Sequence, residues 1–191
     1  EAALASPHLE VFRKKDIEVL LLTDRVDEWM VGHLAEFDGK QLQDVAKGAL
    51  DLGDIESDDE KKAKEEQESS LKPLLERVQD ILKEEVQEVR ITHRLTDSPA
   101  CLVVGDQDMG SQMRKIMESV GQQVPDTKPF FELNPEHPVV DRLDNEADED
   151  RFADIIWLIY EQARLAEGNQ LKDPAAYVKR MNQFLVQVAS S

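Results

Sequence analysis

Apolar and polar positions follow two different periods along the chain, and these periods predict a mixture of helices and strands. Residues 6–15 have helical spacing, residues 17–23 (IEVLLLT) form a continuous apolar run typical of a buried strand, and residues 24–37 return to helical spacing. A helix, a buried strand and a helix in this order predict part of a small α/β layer. We expect the remaining strands of this layer to lie upstream, so that the layer is truncated.

The composition changes between residues 51 and 70, where almost every side chain is charged or polar. Such a stretch is typical of a solvated helix or a linker. We therefore predict a domain boundary there. Residues 1–50 would be the end of one domain, residues 51–70 a charged connecting segment, and residues 71–191 a second domain.

The second domain is predicted to hold a small three-stranded sheet between helices. Residues 71–86 have one apolar face and predict an amphipathic helix. The three predicted strands are residues 87–95, 101–105 and 128–135, the first two joined as a hairpin through a turn at 96–100. Three further helices are predicted at residues 135–143, 148–168 and 173–189. The expected fold class is α+β.

The last two predicted helices are apolar over more of their circumference than one core contact needs. They either pack on the preceding sheet or pair with a second copy of the chain, most simply as a two-fold symmetric four-helix bundle. We favour self-association. The predicted interface residues are Phe152, Ile155, Ile156, Leu158, Ile159, Tyr177, Met181, Phe184, Leu185 and Val188.

Residues 106–121, here called the methionine segment, carry a second apolar stripe. Its members fall at helical spacing and are Met109, Met113, Ile116, Met117 and Val120. Such a stripe is usually buried core. However, methionine is flexible and polarizable, and surfaces that accept many partners use it often. The residues by themselves leave both interpretations open, with core slightly favoured.

Charge and missing motifs limit the functions that the chain can have. The formal net charge of −18 would repel phosphate backbones and anionic lipid, so we predict neither nucleic acid nor membrane as a partner. The sequence contains no nucleotide-binding, metalloprotease or serine-hydrolase motif, and its single Cys101 forms no zinc-binding pair. A hydrolase using His93 with a nearby carboxylate is a remote alternative. We predict that the chain is not an enzyme and has no metal site.

Four segments of the chain resemble the bacterial heat shock protein 90 family, HtpG. They are residues 6–40 (SPHLEVFRKKDIEVLLLTDRVDEWMVGHLAEFDGK), 89–103 (VRITHRLTDSPACLV), 131–143 (FELNPEHPVVDRL) and 177–186 (YVKRMNQFLV). The resemblance implies an ATP-dependent, homodimeric, cytoplasmic chaperone, represented here by the end of its middle domain and its C-terminal domain. It also implies that ATP and magnesium bind in an N-terminal domain outside this chain, so that the fragment has no cofactor of its own.

The resemblance further implies roles for the apolar surfaces. The last two helices would form the homodimer, and the methionine segment would face the dimer cleft and bind unfolded or partly folded client proteins. The client-binding residues implied in this way are Met109, Met113, Ile116, Met117, Glu28 and Trp29. The alternative is a purely structural dimerisation module in which the methionine helix is buried.

Overall fold

The computed structural model describes residues 3–24, 26–50, 58–106, 108–110, 113–114, 116–117, 121–122 and 127–189. The fold is α+β, as predicted. The helices are α1 (Glu10–Lys14), α2 (Asp27–His33), α3 (Asp58–Leu82), α4 (Pro138–Leu143), α5 (Glu149–Ala166) and α6 (Pro174–Ala189). The strands are β1 (Glu36–Phe37), β2 (Lys40–Gln41), β3 (Glu88–Ile91), β4 (Ala100–Val103) and β5 (Phe130–Leu133). Within this described part, no helix is long and apolar enough to cross a membrane.

The main sheet has three strands in the order β3-β5-β4. Strand β5 runs parallel to β3 and antiparallel to β4, with Phe131 opposite both Val89 and Leu102. The predicted hairpin of the first two strands is therefore wrong, because β5 lies between them. Phe131 and Leu133 are fully buried in β5, and the central position removes both edges of this apolar strand from water.

Helices α3 and α5 cover one face of this sheet. Leu74, Val78 and Leu82 recur every fourth residue on α3, so they lie on one side of that helix and are almost completely buried. Phe152 and Ile156 of α5 complete the same core cluster. Each such side chain contributes roughly 1.5–3 kcal/mol by leaving water.

The N-terminal part of the chain contacts the segments that follow β3 and β4. The backbone N–H of Val11 donates to the carbonyl oxygen of Arg94, and that of Gly48 donates to the carbonyl oxygen of Val104. Leu9, Val11 and Phe12 are buried.

The predicted strand at residues 17–23 is not formed. Leu20, Leu21 and Leu22 expose 78%, 40% and 47% of their surface, and none of the described strands pairs with this segment. An apolar run becomes a strand only when a neighbour completes its hydrogen-bond ladder, and the run alone does not supply one.

Two predicted helices differ in length from the observed ones. The helix predicted at 24–37 is α2, which ends at His33, and the chain then forms the short β1–β2 hairpin. Asp38 and Gly39 connect its strands with φ of 51° and 74°, the left-handed conformations that a tight hairpin turn requires. The helix predicted at 71–86 is the last part of α3, which begins earlier, at Asp58, and ends at Leu82. Of the charged connecting segment, residues 51–57 lie outside the described residues, and residues 58–70 form the first part of α3.

Candidate interaction surfaces

Helix α6 is held on α5 through the charged side chain of Arg180. Its Nη1 lies 2.8 Å from Oε2 of Glu161, and its Nε lies 3.5 Å from Oδ1 of Asp154. The guanidinium also lies over the ring of Trp157, 5.4 Å from its centroid. Burial raises the pKa of Glu161, and the charge of Arg180 works against that increase. These contacts define which side of α6 faces its own chain.

The rest of α6 is open to solvent. Among its described residues none is buried, and Val178, Leu185, Val186 and Val188 expose 52–74% of their surface. Tyr177, Met181 and Phe184 are half-buried. An open groove of about 800 Å³ runs between α5 and α6, lined by acidic residues of α5 and by Val178, Phe184 and Val186 of α6. Helix α6 therefore presents an apolar surface that its own chain leaves uncovered.

The structure places the predicted interface residues of α5 differently. Phe152, Ile156, Leu158 and Ile159 expose at most 7% of their surface and lie inside the single chain. Ile155 is half-buried against the same core. Of the predicted interface residues, those on α6 are the ones that keep apolar area available for a second copy.

The methionine segment lies between core and surface. Met109, Met113, Ile116 and Met117 are all half-buried, and Val120 lies outside the described residues. Residues 113–114 and 116–117 are helical, and the backbone N–H of Arg114 donates to the carbonyl oxygen of Gly110. Met109 precedes this helical turn. The side chains are thus close enough to water to meet a partner and partly supported by their own chain.

A second apolar surface surrounds α2. Trp29 exposes 59% of its surface, and Phe37 exposes 71%. Met30, Val31 and Leu34 expose smaller fractions, between 37% and 40%. Trp29 therefore lies on an exposed, mostly apolar segment. Glu28 precedes it in the same helix, and its side chain lies outside the described part of the chain.

Polar contacts between the two parts of the chain were not predicted from the sequence. The carboxylate of Glu10 accepts hydrogen bonds from the backbone N–H groups of Thr96, Asp97 and Ser98 at 2.6–3.2 Å, and from Ser98 Oγ at 2.5 Å. Partial burial works to raise the pKa of Glu10, but these four hydrogen bonds outweigh it and leave the pKa below its usual value. Glu10 precedes this turn by more than 80 residues in the chain, so no local sequence pattern signals the contact.

A buried ion cluster lies on the far side of the sheet. Glu132, in the middle of β5, accepts a hydrogen bond from Arg90 Nε at 2.8 Å and forms an ion pair with Arg94, whose Nε lies 2.7 Å from Oε2. Glu132 and Arg94 are 2% and 1% exposed. Cys101 lies beside Glu132 in the neighbouring strand, and burial, followed by this negative charge, raises the pKa of its thiol. An acid at an alternate position of an apolar strand was the signal that could have predicted the cluster.

The arrangement does not add support to the hydrolase alternative. The sequence had predicted His93 on a strand, but His93 lies in the connection after β3. In the portion of the chain that the structure describes, no group of three or more His, Cys, Asp and Glu side chains could hold a metal ion.

Comparison with known protein families gives one result. The family model described as "Hsp90 protein" matches residues 1–191.

Proposed function

The chain belongs to the Hsp90 family of chaperones, and on that premise we propose that it supplies homodimerisation and part of the client-binding surface of an HtpG-type bacterial chaperone. Residues 1–50 correspond to the end of the middle domain, residues 51–70 to a charged connection, and residues 71–191 to the C-terminal dimerisation domain. The parent protein is cytoplasmic and binds ATP and magnesium outside these residues. The proposal rests on the family match, on the exposed apolar side chains of α6, on the methionine segment and on the apolar surface at α2.

The exposed face of α6 is the observation that carries the dimer. Val178, Leu185, Val186 and Val188 are each more than half exposed. Because 52–74% of each side chain is still exposed, burying the remaining area in both copies would contribute about 7–15 kcal/mol. That gain is comparable to the roughly 4–15 kcal/mol that association costs in lost freedom. A helix whose apolar face stays in water gains none of this stabilisation, so we expect α6 to pair with its copy.

Sedimentation velocity at micromolar concentration tests the dimer. We expect the unmodified chain to sediment as a dimer and the Leu185→Asp variant as a monomer, because an unpaired carboxylate would be buried in the interface. Leu185 is 58% exposed in the single chain, so this substitution leaves the core of the monomer intact. A substitution at the predicted interface residue Ile155 would disturb that core, because Ile155 packs against it.

Val139→Asp is the matched control. Val139 is 39% exposed on α4 and is not one of the predicted interface residues, so the variant should remain dimeric. A monomeric unmodified chain, or equal effects of both substitutions, would contradict the dimer.

Client binding is assigned to the methionine segment and to Glu28 and Trp29. Half-buried methionines can repack around different apolar groups, because their side chains have three rotatable bonds and a polarizable sulfur. Trp29 offers a large exposed ring on the second surface. The many carboxylates of the chain attract basic segments of unfolded proteins.

The half-burial of the methionines also supports the second candidate, a purely structural dimerisation module whose methionine helix is part of the core. In that case the segment would contribute to stability and not to client binding. Substitution of the methionines separates the two candidates, as set out in the Discussion.

A further inference from the structure

Residues 44–48, here called the strap, cross the buried ion cluster on the far side of the sheet. The guanidinium of Arg94 donates to the carbonyl oxygens of Val45 and Gly48, each at 2.8 Å. The same guanidinium is paired with Glu132. The strap also forms its own turn, in which the backbone N–H of Ala46 donates to Oδ1 of Asp44 at 2.9 Å. The turn of the strap is thus hydrogen-bonded to the buried guanidinium of Arg94, which is also held by Glu132.

Gly48 brings the strap into direct contact with the beginning of the methionine segment. Its φ of 58° lies in the left-handed region, and its N–H donates to the carbonyl oxygen of Val104 at 2.9 Å. A Cβ at this position would lie 1.8 Å from Oδ1 of Asp106. The exposed carboxylate of Asp106 occupies this space and would have to rotate away to admit a side chain at position 48. Glycine leaves room for the carboxylate and adopts the left-handed conformation without strain.

The contact continues into the methionine segment through short-range hydrogen bonds. The N–H of Gly105 donates to Oδ2 of Asp108 at 3.1 Å, and the N–H of Asp108 donates back to the carbonyl oxygen of Gly105 at 3.0 Å. Met109 follows immediately, and the helical turn that carries Met113 begins at Gly110. Val104, which holds the strap, and Met109 are therefore separated by one tight turn.

We propose that the strap is a conformational device that controls how far the methionine segment is exposed. When the strap is docked through Arg94 and Gly48, the methionine side chains are held half-buried. When it detaches, the turn at 105–108 loses its support and the methionines become more accessible. The proposal rests on the proposed function for its biological meaning, since it assigns regulation to the client-binding segment. Its physical content is a coupling between two parts of the chain.

The substitution Gly48→Ala tests this coupling in the 191-residue chain. The added methyl group disfavours the left-handed backbone and displaces the Asp106 carboxylate from Gly48, so it should weaken the docking of the strap. Hydrogen exchange of residues 104–110 should accelerate by about tenfold, and peroxide oxidation of Met109, Met113 and Met117 by about threefold or more.

Two variants control this experiment. Gly39→Ala imposes a similar backbone strain at φ 74° in the β1–β2 turn, where a Cβ meets nothing within 4 Å, and it should leave methionine oxidation unchanged. Adding Asp106→Ala to Gly48→Ala removes the steric conflict and should restore part of the protection, as a double-mutant cycle would show. Faster exchange at residues 45–48 without any change at 104–117 overturns the proposal.

Native-state hydrogen exchange of the unmodified chain gives a second measurement if Gly48→Ala fails to fold. The amide of Gly48 and the amide of Arg114 should open with the same free energy and below that of global unfolding. If Arg114 stays protected when Gly48 opens, or if both open only with the whole chain, the strap is not a separate device. These readouts need no client. A failure of client binding in the methionine variants therefore remains distinguishable from a failure of the coupling.

Discussion

At the scale of single residues, buried charge is the feature that most shapes this structure. A lone carboxylate inside a sheet would lose its hydration at a cost of several kcal/mol. Glu132 avoids this cost because Arg94 and Arg90 contact both of its oxygens. Arg90 lies in β3 and Arg94 in the connection after it, so the cluster joins these segments to β5. Removing Glu132 would take away the carboxylate that pairs with the buried guanidinium of Arg94.

Glu10 gives a testable pH dependence at the same scale. Because its pKa is lower in the folded chain, its stabilising effect is present above the pKa of an unfolded glutamate, about 4.3. This effect is lost as the pH falls through the lower, folded value. We expect Glu10→Gln to weaken docking onto residues 96–98 by about 1 kcal/mol at pH 7. Hydrogen exchange of the Thr96, Asp97 and Ser98 amides measures the change.

The control for this prediction is Glu18→Gln, which removes an equal charge from an exposed position. Protection of residues 96–98 should be unaffected there. If the Glu10 variant and the unmodified chain lose protection over the same pH range, Glu10 does not hold the turn.

At the scale of elements, similar apolar patterns had different outcomes. Helices α5 and α6 both carry wide apolar faces, yet α5 is buried inside one chain and α6 has no buried residue in its described range. The difference arises because α5 packs against β4 and α3, whereas the described element that α6 contacts most is α5. Periodicity reports that a helix has an apolar face but not which neighbour covers it.

The methionine segment is the element whose role can be tested most directly. Replacing Met109, Met113 and Met117 together with Ser should weaken binding of a reduced, alkylated unfolded protein by about tenfold, since each loses most of its apolar contact. Fluorescence anisotropy measures the affinity, and thermal unfolding shows whether the fold is retained. The exposed Val139→Ser variant is the control and should bind as the unmodified chain does.

If the triple variant unfolds, the stripe belongs to the core and the structural dimerisation module is the better interpretation. Hydrogen exchange in the described helical residues 113–114 and 116–117 gives the same distinction. A core helix would be protected to the level of global unfolding, and an exposed one would exchange much earlier.

At the scale of the whole molecule, the net charge of −18 should influence partner choice. Its field favours basic unfolded chains and is screened by salt over about 10 Å at 0.1 M. We expect affinity for a reduced, alkylated basic protein to fall about tenfold between 0.05 and 0.5 M salt. The succinylated form of the same protein, in which lysines become carboxylates, should bind more weakly at low salt and gain affinity as salt rises. Equal salt dependence of both probes would show that charge plays no part.

The family and the α+β class could be recognised from the sequence, because long segments and strong periodicities are local properties of the chain. The helices α5 and α6 and the strand β5 were predicted near their observed positions for the same reason, whereas only the last part of α3 was predicted as a helix. Candidate interface residues could be chosen only as apolar faces, without knowing which faces remain in water.

Tertiary structure decided the rest. The insertion of β5 between β3 and β4, the missing strand at 17–23 and the burial of Phe152 and Ile156 all depend on which distant segments meet. The contact of Gly48 with Asp106 also depends on two segments that are far apart in the sequence and close in the fold. Local pattern determines what a segment can form, whereas the neighbours that complete its hydrogen bonds and cover its apolar face determine what it does form.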